Sequence, residues 1–271
     1  MRMCSIASGS SGNCIYIGSD TTHILIDAGI SGKRTEEGLN KLDLSMTDVS
    51  AVLVSHEHAD HIQGLGVLAR KYHKNICCTK GTRDVILQDG KVGKIDEDLF
   101  SEVYADEKFT IGDLQITPIK ISHDAAQPVA YKISHGTKRC AVVTDLGYYD
   151  DYIVESLRGV NVLLLEANHD VNMLQVGPYP YYLKQRILGQ RGHLSNESCG
   201  QLMCKLAHKD LQAVVLGHLS KENNLPELAY ETVRSEMVMT DGACEKLPCP
   251  MKDFPLYVAK RYDVSDIIHM G

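Results

Sequence analysis

Ser55-His56-Glu57-His58-Ala59-Asp60-His61 directly follows the apolar run Ala51-Val52-Leu53-Val54. Three imidazoles and the Asp60 carboxylate crowded between His56 and His61 are hard to explain as packing. In an extended segment side chains alternate faces, so His56 and His58 point the same way and can grip one cation. Asp60 and His61 open a predicted helix over 60–70 and can turn toward a second cation. Neutral imidazole and carboxylate oxygen are ligands that zinc, manganese and ferrous iron all accept. A solvated His-rich turn is the blander alternative, but strand, ligand cluster and helix follow one another as a site requires.

With 271 residues, 44% of them hydrophobic, the chain can bury a sizeable core. A formal net charge of −7 excludes a globally basic nucleic-acid binder, although a local basic rim or bound metals can still hold phosphate. Nine cysteines, odd in number and without a Cys-x-x-Cys pair, suit a reducing interior rather than a disulfide framework. No signal-like N-terminus and no apolar run approaching about twenty residues are present. The expectation is a soluble, cytoplasmic protein without a membrane partner.

Short strands are predicted over 3–7, 13–17 and 23–27, with a Gly/Ser turn at Ser8 to Asn13 that can either cradle an anion or simply close a hairpin. Asp27, at the end of a strand, can orient a metal-binding histidine or cap its loop. Further on, apolar runs at 114–119, 129–133, 139–143, 160–165 and 214–216 read as strands. Helices are predicted over 34–41, 82–87, 195–206 (with Ser195 as N-cap) and 227–237. Strand-rich segments interleaved with helices in two similar halves predict an α+β sandwich, two sheets face to face with helices outside. One domain is expected over 1–271, with the tail from Thr240 mostly irregular except for a possible strand over 256–258.

Three further ligand candidates each follow an apolar strand: His123 after Ile119-Lys120-Ile121, Asp145 after Ala141-Val142-Val143-Thr144, and His218 after Val214-Val215-Leu216-Gly217. Functional loops start at such strand ends. Each alone reads as a cap or surface residue; the repetition argues for a shared site.

His-x-His-x-Asp-His after a buried strand, followed by His, Asp and His in that order, resembles the metallo-β-lactamase superfamily. Its members are mostly binuclear metallohydrolases. The resemblance narrows with Ala7 to Asn13, Ser122-His123-Asp124-Ala125, Thr144-Asp145-Leu146-Gly147, Glu166-Ala167-Asn168-His169-Asp170, Gly192-His193-Leu194-Ser195-Asn196 and His218-Leu219-Ser220-Lys221-Glu222-Asn223-Asn224. Together these look like the WalJ (YycJ) family, with matching segments spread over about 3–239. The resemblance implies an αββα metallo-β-lactamase fold and a metal-dependent 5′-to-3′ exonuclease acting on DNA.

It also implies two divalent metal ions, zinc or manganese first and iron as an alternative. His56, His58 and His123 would hold one; Asp60, His61 and His218 the other; Asp145 would bridge them. With one hydroxide such a centre carries a charge of about +1, which draws anionic oxygen and supplies a nucleophile at neutral pH. A metal-bridging hydroxide oriented by Asp60 would attack phosphorus. Oxygen-reducing iron relatives carry Glu at the position of His58, so His58 favours hydrolysis. The Gly-His-Leu-Ser segment is similar to an element of tRNA 3′-processing endonucleases in which a histidine, paired with a glutamate, protonates the leaving group. Carried over, His193 becomes the general acid and Glu166 its orienting partner; a helix-capping role for His193 is the alternative.

Only 22 positions separate His123 from Asp145 and 48 separate Asp145 from His193, which leaves no room for the insertions of larger nucleases in the superfamily. Lys184, Arg186, Arg191 and Lys221 flank the late motifs and can bind phosphate oxygens. Tyr179, Tyr181 and Tyr182 can stack on bases or pack a loop. Asn168, His169 and Ser195 stand near the late motifs as supporting or substrate residues. Two rivals remain open: a small-molecule hydrolase (lactonase or cyclic phosphodiesterase) and a non-enzymatic metal-binding regulator. Protein partners are unknown.

Overall fold

The apolar runs become strands, and the central ones are buried on both faces. A computed structural model describes all residues, 1–271. Its first half comprises β1 (Arg2–Ala7), β2 (Cys14–Gly18), β3 (His23–Ile26), α1 (Gly32–Asn40), β4 (Val49–Leu53), α2 (Ala59–Ile62), α3 (Leu65–Tyr72), β5 (Asn75–Cys78), α4 (Lys80–Asp89) and β6 (Phe100–Glu102). The second half comprises β7 (Phe109–Ile111), β8 (Leu114–Lys120), β9 (Val129–His135), β10 (Lys138–Val143), α5 (Asp151–Leu157), β11 (Val162–Glu166), α6 (Val171–Val176), α7 (Tyr181–Leu188), α8 (Asn196–Leu206), β12 (Ala213–Gly217), α9 (Pro226–Met239), β13 (Leu256–Val258) and β14 (Ile268–His269).

Two seven-stranded sheets result, ordered β14-β1-β2-β3-β4-β5-β6 and β13-β12-β11-β10-β9-β8-β7. Each is antiparallel in its hairpin region and parallel where helices cross over. Alternate residues of the parallel strands serve different cores. In β3 and β4, Ile24, Ile26, Ala51 and Leu53 face the second sheet, where they meet Tyr131, Val142, Val162 and Leu164. Leu25 and Val52 pack outward against the helices of the first half, and Leu163, Leu165 and Leu216 against those of the second. Burial on both faces explains why these strands read as continuous apolar runs rather than alternating ones. The result is the four-layer αββα sandwich.

Parallel register brings strand ends together at one rim: Ile26 pairs with Leu53, Val143 with Leu165, and Glu166 with Gly217. Loops leaving these ends share the crevice between the sheets. The buried Tyr131 of β9 locks the rim by donating to the carbonyl of Val54, 2.9 Å away, just before the His56 loop.

The expected helix over 60–70 is instead α2 and α3, broken at Gln63-Gly64. Gly64 donates to the Ala28 carbonyl at 2.7 Å, and a Cβ there would stand 2.1 Å from the Ile30 carbonyl. The break lets α2 lie against the loop after β3. In the tail from Thr240 the expected strand over 256–258 is β13, which extends the second sheet, and an unexpected two-residue strand, β14, extends the first.

Candidate metal centre

Asp27, one residue past β3, is the anchor of the His56–His61 loop. Its Oδ1 accepts from the Ser55 backbone N–H at 2.8 Å, and its Oδ2 faces Ser55 Oγ at 2.9 Å and His61 Nδ1 at 2.7 Å. With Nδ1–H donated to Asp27, His61 turns the lone pair of Nε2 into the crevice. Asn13 in the Gly/Ser turn fastens the same loop: its backbone N–H donates to the Asp60 carbonyl at 2.8 Å and its Nδ2 lies 3.2 Å from His61 Nε2. Gly29 presses on it too, since a Cβ there would stand 1.6 Å from the Asp60 carbonyl oxygen.

Three groups at strand ends hold left-handed backbone: Asp27 (φ 62°), Asp145 (φ 59°) and His218 (φ 52°). Such a conformation costs a non-glycine residue about 1 kcal/mol or more. In each case the abrupt turn at the end of a buried strand coincides with a side chain placed in the cluster.

All seven expected ligands converge. Donor atoms of His56, His58 and His123 lie within 4.8 Å of one another, as do those of Asp60, His61 and His218. Asp145 stands between the two sets, within the same distance of His56 and His61 on one side and of His193 and His218 on the other. His123 is held through Nδ1 by the Gly192 carbonyl at 3.1 Å, and His218 Nε2 lies 3.2 Å from Asp60 Oδ2.

These residues fit divalent cations. His56 Nε2 and Asp145 Oδ2 are buried without a hydrogen-bond partner, which is costly for polar atoms unless something else satisfies them. Asp145 Oδ2 is 3.0 Å from His61 Nε2, so two acceptor atoms face each other. Such a pair needs a cation or a proton between it. Burial pushes the His56 imidazole well below its ordinary pKa and holds it neutral, the form that ligates. Burial opposes ionisation of Asp60 and Asp145, but the surrounding imidazoles outweigh it and keep both carboxyls well below their usual range.

Glu166, the last residue of β11, is fully buried and joins the remaining groups. Its Oε1 lies 2.8 Å from Nδ1 of His193 and 2.8 Å from Nδ1 of His218. Its Oε2 accepts from the backbone N–H groups of Leu146 (2.8 Å) and Leu194 (3.2 Å). Burial disfavours a charged His193, yet the Glu166 carboxylate prevails and raises its pKa above the ordinary value. His193 does not cap α8; Ser195 does, accepting from the Ser198 N–H at 3.2 Å. That Glu166 serves His218 as well as His193 was not expected from the residue pattern.

Asn168 and His169 are buried supports rather than groups open to a ligand: Asn168 Nδ2 donates to the His218 carbonyl at 2.9 Å. Burial pushes His169 down to about 4. Of the basic candidates, Lys184 is spent on the Gln175 carbonyl at 2.7 Å. Lys221 is exposed, 4.0 Å from Glu222, and Arg191 donates to the His123 carbonyl through Nε and Nη2. Arg186 pairs with Asp124. Tyr181 and Tyr182 are exposed on α7, a helix absent from the sequence reading. The Gly/Ser turn builds no anion cradle, because the N–H groups of Ser8, Gly9, Ser10, Gly12 and Asn13 already have partners within the fold. A cleft of about 560 Å³ opens beside His58 and Asp60, and another of about 800 Å³ lies along the segment of His123 and Arg191. No helix is long and apolar enough to cross a membrane.

The family profile described as β-lactamase superfamily domain matches residues 22–218. Exodeoxyribonuclease YycJ of Bacillus anthracis is 39% identical over 236 residues, covering 84% of this chain and 86% of its own. Exodeoxyribonuclease WalJ of Streptococcus pneumoniae is 38% identical, covering 87% and 88%. Among solved structures, the metallo-β-lactamase fold protein YhfI of Bacillus subtilis superposes with a TM-score of 0.67 at 18% identity, over 97% of this chain and 98% of its own, a likeness of fold alone. The chain therefore belongs to the β-lactamase superfamily and, within it, to the family of YycJ and WalJ.

Proposed function

We propose that this protein is a metal-dependent exodeoxyribonuclease that shortens DNA from the 5′ end, working with two divalent cations. The observation that carries the reading is the His193–Glu166 pair beside the seven-residue cluster, in a chain whose relatives are named exodeoxyribonucleases. His56, His58 and His123 would hold one cation, Asp60, His61 and His218 the other, with Asp145 between. The donor set is all nitrogen and oxygen, which suits zinc or manganese, with iron as an alternative. When bound, the cations supply Lewis-acid stabilisation of phosphoryl oxygen and a nucleophilic water at neutral pH.

The protein's own groups do the rest. Asp60, whose side chain is a quarter exposed, orients the attacking water. His193, tied through Nδ1 to Glu166, keeps Nε2 free to give its proton to the departing 3′-oxygen. Glu166 stabilises the charged imidazole and fixes its tautomer. The open clefts on either side of the cluster leave room for a polymer. We read the chain as one domain, since the inner core draws on both sheets, and its place as the cytoplasm, since nine free thiols suit a reducing compartment.

The test is hydrolysis of duplex DNA labelled at one 5′ end, with protein stripped of metal and reloaded with manganese or zinc. Metal-dependent shortening that vanishes in Asp60→Asn and His58→Ala supports the reading, and the product ladder reads the polarity. Intact DNA with metal shown to be bound would move the assignment to a small phosphodiester or lactone.

A further inference from the structure

Asp124 is an acid at the cluster that the seven-residue set leaves out. Its Oδ1 lies 3.4 Å from His123 Nε2 and 3.9 Å from His58 Nε2. The same carboxylate is gripped from the other side by Arg186 of α7, through Nε to Oδ2 and through Nη2 to Oδ1 at 3.1 Å. This is a two-point pair, in which one edge of the guanidinium plane is fixed. Of its five N–H donors two are committed, and those on Nη1 with the second on Nη2 remain free on the other edge. The Arg186 side chain is 51% exposed, so that edge can meet a ligand. Because Asp124 itself lies against His123 and His58, the paired guanidinium carries its charge beside the cluster rather than on a remote surface.

Resting on the phosphodiester reading above, we propose that Asp124 is a positioning residue: it holds Arg186 at the mouth of the cluster as a clamp for a non-bridging oxygen of the DNA phosphate. The pairing gives a long, flexible side chain one orientation before substrate arrives, so less freedom is lost on binding. It also neutralises a carboxylate that would otherwise repel phosphate. Lys184, spent on the Gln175 carbonyl, cannot take this role.

The experiment compares wild type, Asp124→Asn, Arg186→Met, Arg186→Lys and the Asp124→Asn/Arg186→Met pair, all metal-loaded. It reads metal content, the Kd for a labelled phosphorothioate-linked oligodeoxynucleotide, and KM and kcat on DNA. Asp124→Asn and Arg186→Met should each raise Kd and KM about tenfold with kcat within about threefold and metal content unchanged, the pattern of lost uniform binding. Arg186→Lys should not rescue, because an ammonium lacks the fork. The double variant should be no worse than Arg186→Met, since Asp124 acts through the arginine. Arg186→Met should also flatten the salt dependence of log Kd by about one counterion. Lost metal in Asp124→Asn would make it a ligand and overturn the clamp. Unchanged Kd and KM, or additive effects in the double variant, would overturn it equally while leaving the nuclease standing. A wild type that hydrolyses bis(p-nitrophenyl) phosphate but neither binds nor cuts DNA overturns both.

Discussion

Asp27 Oδ2 sits 2.7 Å from His61 Nδ1, and both side chains are almost wholly buried. The carboxylate therefore decides which imidazole nitrogen faces the crevice. Asp27→Asn keeps the shape and tolerates the left-handed backbone, but it removes the charge that fixes the tautomer. Metal affinity should fall about 10- to 100-fold, as read by competition with a fluorescent chelator. An unchanged affinity would refute this role for Asp27.

His193→Ala should lower the rate on DNA by about a hundredfold or more while metal content stays that of wild type. Glu166→Gln should do both kinds of damage, because one oxygen faces His193 and His218 alike at 2.8 Å. It should slow turnover and also weaken metal binding. Elemental analysis beside kinetics separates the two variants, and retained metal in Glu166→Gln would show that the His218 contact is dispensable.

The Glu166–His193 pair predicts the sign of an alkaline limb. Burial opposes the proton on His193, but the carboxylate overrides it and raises the pKa above the ordinary histidine value. A general acid must be protonated, so activity should fall as pH climbs through that raised value. Removing the carboxylate in Glu166→Gln should move the limb to lower pH, and His193→Ala should abolish it. A profile whose alkaline limb is the same in His193→Ala would assign the limb to another group.

His169 makes a stability prediction separate from catalysis. Buried, with Nε2 lacking a partner, it is pushed down by that burial to about 4 from an ordinary 6.5. Between those values the unfolded chain binds a proton that the folded one refuses, so stability is present above about pH 6.5 and is lost as pH falls toward 4. The loss is on the order of 3 kcal/mol at most. His169→Asn should flatten that acid limb in urea titrations at several pH values. Parallel curves for variant and wild type would contradict it.

The residues that converge on the cluster were legible because each of His56, His123, Asp145 and His218 follows an apolar run that becomes a strand. Parallel register then does what sequence order cannot, placing strand ends far apart in the chain at one rim. The αββα sandwich was legible for a similar reason, in the repeated passage from strands to helices. What escaped has physical causes too. The helices α5, α6 and α7 are eight residues or shorter, so each gives barely two turns of apolar spacing. The strand β14 has only Ile268 and His269 and owes its place to pairing with β1, a partner nearly the whole chain away. Asp124 stood in plain view after His123, but its reach to His58 exists only once the two sheets are packed, and its reach to Arg186 only once α7 is docked. The shared oxygen of Glu166 likewise belongs to three loops meeting, and no spacing announces it.

Asp60 and His218 meet across 158 positions of chain, and this sets the order in which the protein can mature. On the ribosome the early imidazoles, His56 to His61, emerge while the strand that will deliver His218 is still unmade. A nascent chain offers a cation only a loose handful of nitrogens. The full set of groups exists only with β12 paired to β11, which sets the last histidine at the rim. Because binding to the finished site would add its free energy to folding, a cation would stabilise the chain only after its two halves have closed on each other.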